Sequence, residues 1–174
     1  GVTANGATLL GPGHVRHVAL GGTAIGMLTG ETDKVKETVN LLIKAGFPAE
    51  LSENVQRDIW GKLLVNVGIN ALTAVLKVPN GYLVEHESAE ELLEMAVKEA
   101  AEVCRAKGIE VESPIEKCKR VARNTAKNLS SMHQDVTNRR PSEIDYINGA
   151  IVKEGKKYGI KNPVNEVLVK MIKA

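Results

Sequence analysis

Aromatic residues are scarce in this chain: one Trp, one Phe and three Tyr make up 3% of its 174 residues. That scarcity removes the stacking platforms on which single-stranded nucleic acids are held. Charge offers no substitute. Lys and Arg total 23 against 21 Asp and Glu, and the net +2 is spread over basic residues interleaved with acids, so no basic stripe faces a phosphate backbone and nucleic acid is not an expected partner. Cysteine is nearly absent. Cys104 and Cys118 lie in stretches that both read as helix, without a CxxC or a nearby histidine, and they are expected as buried, reduced thiols of a cytosolic protein. The four histidines show no metal-binding spacing. His14 and His17 are three apart in a strand-like run and so point to opposite faces, while His86 and His133 lack companions and suit surface or core roles. No basic segment followed by a long apolar run opens the chain, so a secretory leader is not expected. The missing initiator Met suggests a processed or excised piece of something longer.

Glycine is plentiful, at 16, and concentrates in the first thirty residues. There VTANGATLL, HVRHVAL and TAIGML read as two or three short strands joined by Gly-rich turns. A dinucleotide-binding fingerprint fails at both glycine clusters. Gly11-Pro12-Gly13 has Arg16 where the third Gly belongs, and Gly21-Gly22 has Thr23 where the second belongs; both lead into strands rather than a helix. A helix capped by Thr32 or Asp33 is expected to run to about Lys44, with Val35, Val39, Leu42 and Ile43 as its apolar face and Gly46 as its stop. From about Glu53 onward everything reads as helix: a long apolar one, then about Ser88 to Ala106, Ser113-Pro114 to about Asn128, Pro141-Ser142 through Lys157, and about Pro163 to Ile172. The segment SSMHQDVTNRR reads as a polar connection. The expected organisation is therefore the tail of an α/β domain over 1–52, followed by an all-helical domain over 53–174.

The stretch Ile59 to Leu76, IWGKLLVNVGINALTAVL, approaches membrane-span length, but its polar residues and two glycines favour a core helix. Those polar residues are Lys62, Asn66 and Asn70. At about 100° per residue, each step of four advances a side chain only about 40°, so the three form one narrow stripe. Lys62 read alone is also a snorkelling lysine at a domain edge. Three aligned polar groups in an apolar helix nonetheless want a common partner, and a polar ligand in a cleft would serve. A second group comprises Ser131, Asp135 and Glu143. Glu143 in a first helical turn is explicable by the macrodipole alone, and Ser130 or Ser131 by capping.

Taken together, WGKLLVNVGINALTAVLKVPNGYL and SSMHQDVTNRRPSEIDYINGAIV resemble the ketopantoate (2-dehydropantoate 2-) reductase family. The likeness continues in GATLLGPGHVRHVALGGTAIG and YGIKNPVNEVL. The resemblance implies a mainly α chain: an all-helical substrate domain, like the C-terminal part of 6-phosphogluconate dehydrogenase, preceded by the last strands and helix of a truncated Rossmann domain. It implies NADPH as cofactor, a 2-keto acid as small-molecule substrate, and an active site in the cleft between the two domains. Lys62 matches the family's catalytic lysine, and Glu143 its catalytic glutamate, which also reaches the cofactor. Asn66, Asn70 and Ser131 match substrate-contacting positions, and Asp135 a further acid of the serine motif. The glycine-rich fingerprint and first βαβ units of a full nucleotide domain are missing, so a fragment inactive alone is expected.

Three readings remain open at this stage: a ketopantoate reductase serving pantothenate and coenzyme A synthesis, a relative acting on another 2-keto acid, and a noncatalytic helical dimerisation module. The first two imply a cytoplasmic enzyme, and a homodimer suits all three.

Overall fold

A computed structural model of the chain describes residues 1–30 and 32–174. By compactness it divides into two units, Gly1–Ile59 and Trp60–Ala174.

In the first unit the VTANGATLL run breaks at Ala4-Asn5 into β1 (Val2–Thr3) and β2 (Gly6–Gly11), followed by β3 (His14–Ala19) and β4 (Thr23–Ile25). Four strands thus stand where two or three were expected. The break is stabilised by Asn5, whose Oδ1 accepts the Gly21 amide at 3.1 Å and whose Nδ2 donates to Thr3 Oγ1 at 2.9 Å. β2 and β3 form a hairpin whose tip includes Gly13 at φ +72°, a left-handed conformation that glycine adopts without steric cost. α1 (Asp33–Lys44) connects β4 to β5 (Ala49–Leu51), which pair in parallel, while β1 pairs antiparallel to β4 on the other side. Val35 and Val39 are the buried residues of α1. Ile43, expected on that face, is 52% exposed instead: with Phe47 and Pro48 it borders an open hollow of about 470 Å³.

The long helix α2 spans Val55–Leu76 and starts four residues earlier than its apolar run. Apart from the buried Val55 its first turn is polar, and the helix starts close to the boundary expected at about Glu53. Asn54 supplies the start by accepting the Arg57 amide on Oδ1 at 2.9 Å. The helix is long and apolar enough to cross a membrane, yet half of that stretch is buried against other helices, as in a core helix of a globular unit. It ends at Lys77, which takes a left-handed φ of +57°.

The second unit contains α3 (Tyr82–Glu85), α4 (Glu87–Ala106), α5 (Pro114–Asn124), α6 (Ser131–Thr137), α7 (Asn148–Lys157) and α8 (Pro163–Lys173). α4 is its hub, packing against α3, α5, α7 and α8. Its buried residues, Ala89, Leu93, Ala96, Val97, Ala100, Val103 and Cys104, recur at helical spacing. Besides α5, which stops at Asn124 short of the end expected near Asn128, three features depart from the sequence expectation. α3 is a single turn after Pro79-Asn80-Gly81, too short for periodicity to show. SSMHQDVTNRR forms a helix over much of its length, with Met132 and His133 buried. The helix expected from Pro141 through Lys157 is instead a 3₁₀ turn over Ile144–Tyr146 and then α7, with a backbone break at Ile147. Ile144 and Ile147 are both buried, and three residues per turn places them on one side.

Candidate active site

Lys62, Asn66 and Asn70 descend one face of α2, and burial increases along it. Lys62 is exposed, Asn66 half-buried, and Asn70 only 7% exposed. The main hydrophobic cluster takes in α2 from Leu64 onward, and Lys62 lies on the turn before it. An ammonium there keeps much of its hydration, so folding does not force a desolvation penalty on it.

Ser131, the first residue of α6, meets the buried end of the stripe. Asn70 Nδ2 donates to Ser131 Oγ at 3.5 Å, a long contact between residues 61 apart in the chain. Asn70 is buried and Ser131 exposed, so the pair marks the point where the core opens to solvent. Asp135 follows Ser131 by one turn and is half-buried; its carbonyl accepts the Arg140 amide at 2.8 Å. Glu143 is exposed and stands just ahead of the 3₁₀ turn rather than in the first turn of a long helix. Its carbonyl accepts the amides of Tyr146 and Ile147 at 2.9 and 3.1 Å.

Sequence reasoning missed several polar groups that hold these elements in place. Thr73, fully buried, lies three residues beyond Asn70 and extends the stripe; that signal was available in the spacing. It meets Ser130, the residue capping α6. Asn148, also fully buried, donates from Nδ2 to the Val67 carbonyl of α2 at 3.2 Å and to Asn165 Oδ1 at 2.9 Å. No local pattern marks Asn148 as a bridge. At the entrance to α2, the Lys107 ammonium lies 5.5 Å from the centre of the Trp60 ring and 2.8 Å from Glu154 Oε2. Hydrogen bonds from Lys107 and Lys157 hold the Glu154 carboxyl down to about 2, and the same bond raises the Lys107 ammonium above its usual range. Trp60 precedes Lys62 by two residues, so this cluster steadies the turn that carries it.

A nicotinamide nucleotide needs backbone amides at the start of a helix to cradle its pyrophosphate. In the described residues Gly11 to Gly13 form a hairpin tip and Gly21-Gly22 lead into β4, so neither glycine cluster supplies that cradle. Glu143, an exposed carboxylate, has the chemistry to accept a ribose hydroxyl. Neither glycine cluster among the described residues therefore fits the phosphates of such a cofactor.

Residues 54–174 match the family described as the ketopantoate reductase PanE/ApbA C-terminal domain. The 2-dehydropantoate 2-reductase of Halobacterium salinarum is 39% identical over 99% of this chain and 58% of its own length. Among solved structures, a D-mandelate dehydrogenase with NADH and anilino(oxo)acetate superposes with a TM-score of 0.93 at 31% identity, over 99% of this chain and 58% of that one. A ketopantoate reductase from Ralstonia eutropha gives 0.89 at 33% identity, over 99% and 57%. The chain thus spans somewhat over half the length of the relatives it matches, and the helices bearing Lys62, Asn66, Asn70 and Ser131 all fall within the matched segment. The chain belongs to the ketopantoate reductase family, of which it carries the C-terminal helical domain.

Proposed function

We propose that this chain is the substrate-binding and catalytic part of an NADPH-dependent 2-dehydropantoate 2-reductase, which reduces ketopantoate to pantoate in the cytoplasm for pantothenate and coenzyme A synthesis. The observation that carries the reading is the contact of Asn70 with Ser131, which joins the two separated sequence motifs at one spot. When bound, the reduced nicotinamide supplies a hydride for the substrate's carbonyl carbon. Lys62, charged and exposed, polarises the carbonyl oxygen and donates the proton that converts it to a hydroxyl. Asn66, Asn70 and Ser131 are neutral hydrogen-bonders that orient the substrate carboxylate and hydroxyl without competing for its charge. Asp135 lies beside that contact on α6 as a further polar wall. Glu143 orients a substrate hydroxyl or the cofactor ribose.

Among the described residues neither glycine cluster offers a pyrophosphate cradle, and on this reading the chain by itself does not turn over substrate. Exposed Val167 and Met171, one turn apart on α8, leave apolar surface for a second copy and support a homodimer.

A second reading, a reductase of another 2-keto acid, is favoured by the D-mandelate dehydrogenase likeness; that enzyme was captured with NADH, which keeps the choice of nucleotide within the test. Turnover of ketopantoate and of phenyl-substituted 2-keto acids, each with NADPH and with NADH, by an enzyme carrying this chain and a complete nucleotide domain separates the two readings. In the same enzyme Lys62→Ala is expected to lower kcat by at least about a hundredfold, the lower range for a general acid, with the fold intact. A near-normal kcat would refute the assignment.

A further inference from the structure

We infer that the buried hydroxyls of Thr73 and Ser130 form a positioning clasp for the substrate site, setting Ser131 against Asn70. The inference rests on reading Asn70 and Ser131 as substrate contacts.

Thr73 Oγ1 lies 2.8 Å from Ser130 Oγ, 2.9 Å from the Ile69 carbonyl and 3.1 Å from the Asn70 carbonyl. Ser130 Oγ accepts the His133 amide at 3.1 Å and lies 3.5 Å from the Asn70 carbonyl. Each hydroxyl has one proton to give. If Thr73 gave its proton to Ser130, Ser130 would have only the 3.5 Å carbonyl left to receive its own. If Ser130 donates to Thr73 and Thr73 to Ile69, every bond lies between 2.8 and 3.1 Å. The second arrangement uses the better geometry. A continuous chain then runs from the His133 amide through Ser130 and Thr73 to the Ile69 carbonyl, tying the first turn of α6 to α2.

The location gives the chain its consequence. Ile69 and Thr73 flank Asn70 on α2, and Ser130 directly precedes Ser131. Both hydroxyls are buried, Thr73 fully and Ser130 to 6% exposure, so water does not substitute for a lost partner. His133 adds a second tie, its Nδ1 lying 3.1 Å from the Val78 carbonyl just past the end of α2. The Asn70 to Ser131 contact is long and bridges an exposed residue to a buried one, so it does not set its own geometry. The clasp one residue away does.

Thr73→Val keeps the shape of the side chain and removes the hydroxyl; Thr73→Ser restores it. In an enzyme joining this chain to its complete nucleotide domain, Thr73→Val is expected to raise KM for the 2-keto acid about tenfold, the worth of one ordinary hydrogen bond, with kcat within about twofold. That split is the signature of lost uniform binding. Thr73→Ser should return KM to the parent value. Asn70→Ala serves as the control for the site and should also raise KM. If Asn70→Ala raises KM and Thr73→Val does not, the clasp is only structural and the inference fails. If Asn70→Ala leaves KM unchanged, the site reading fails and takes the inference with it. Should Thr73→Val not fold, Ser130→Ala carries the same prediction, read where circular dichroism shows native helix content.

Discussion

The carboxylate of Glu99 grips Asn165 twice, Oε2 accepting its backbone amide at 3.1 Å and its side-chain Nδ2 at 2.7 Å. Oε1 takes the Val164 amide at 2.9 Å, so a residue of α4 caps the start of α8 from outside the helix. Anionic charge at a helix N-terminus is favourable, and three amide donors would be left short without it. Glu99→Ala is expected to lower unfolding free energy by about 2 kcal/mol, seen as a lower urea midpoint. A midpoint indistinguishable from the parent would show that water replaces the carboxylate.

At Gly68 α2 packs closely against its neighbours. A Cβ added there would stand 2.6 Å from both Cys118 Sγ and Val97 Cγ2. Alanine favours a helix over glycine by about 1 kcal/mol, but overpacking a closed core costs about 1–3 kcal/mol. Gly68→Ala should therefore destabilise the protein on thermal unfolding despite its better propensity. A raised Tm would mean that α4 or α5 can yield.

Acid should loosen the cluster at the entrance to α2. The Glu154 carboxyl is lowered from 4.5 to about 2 in the folded protein by the hydrogen bonds of Lys107 and Lys157. The unfolded state therefore takes up its proton first, and this contribution, fully present above about pH 5, drains away as pH falls toward 2. Lys107, raised by the same bond, contributes fully below its ordinary value and loses that contribution as pH rises past it. Glu154→Gln should flatten the acid side of the stability profile. An unchanged slope between pH 5 and pH 2 would rule the pair out as its source.

The two thiols should be inert while the protein is folded. Burial pushes Cys118 up to about 12 and Cys104 to about 11, and both are free. Since the thiolate is the nucleophile, iodoacetamide at pH 8 should label both at least about tenfold more slowly than an exposed cysteine. Both should label fully once guanidinium unfolds the chain. Rapid native labelling of Cys118 would indicate that α5 opens readily.

Most helices were legible because their signal is local. α4 shows its buried positions at helical spacing, α8 begins at Pro163, and Gly108 and Gly159 follow helix ends with positive φ. The elements that escaped are short or governed from a distance. α3 and α6 offer too few residues for a period to emerge, and α6 depends on Ser130 reaching Thr73 on another helix. The break at Ile147 lets Asn148 start a new helix while its amide meets Val67 and Asn165, partners far away in the chain.

What the sequence determined by itself is the alignment of Lys62, Asn66 and Asn70, because a spacing of four on one helix is local geometry that survives any packing. Tertiary structure decided what that alignment is worth at each position. It left Lys62 in solvent, buried Asn70, and brought Ser131 to it from 61 residues away. Such a contact depends on the path of the whole intervening chain, and on a pair of buried hydroxyls that no periodicity announces.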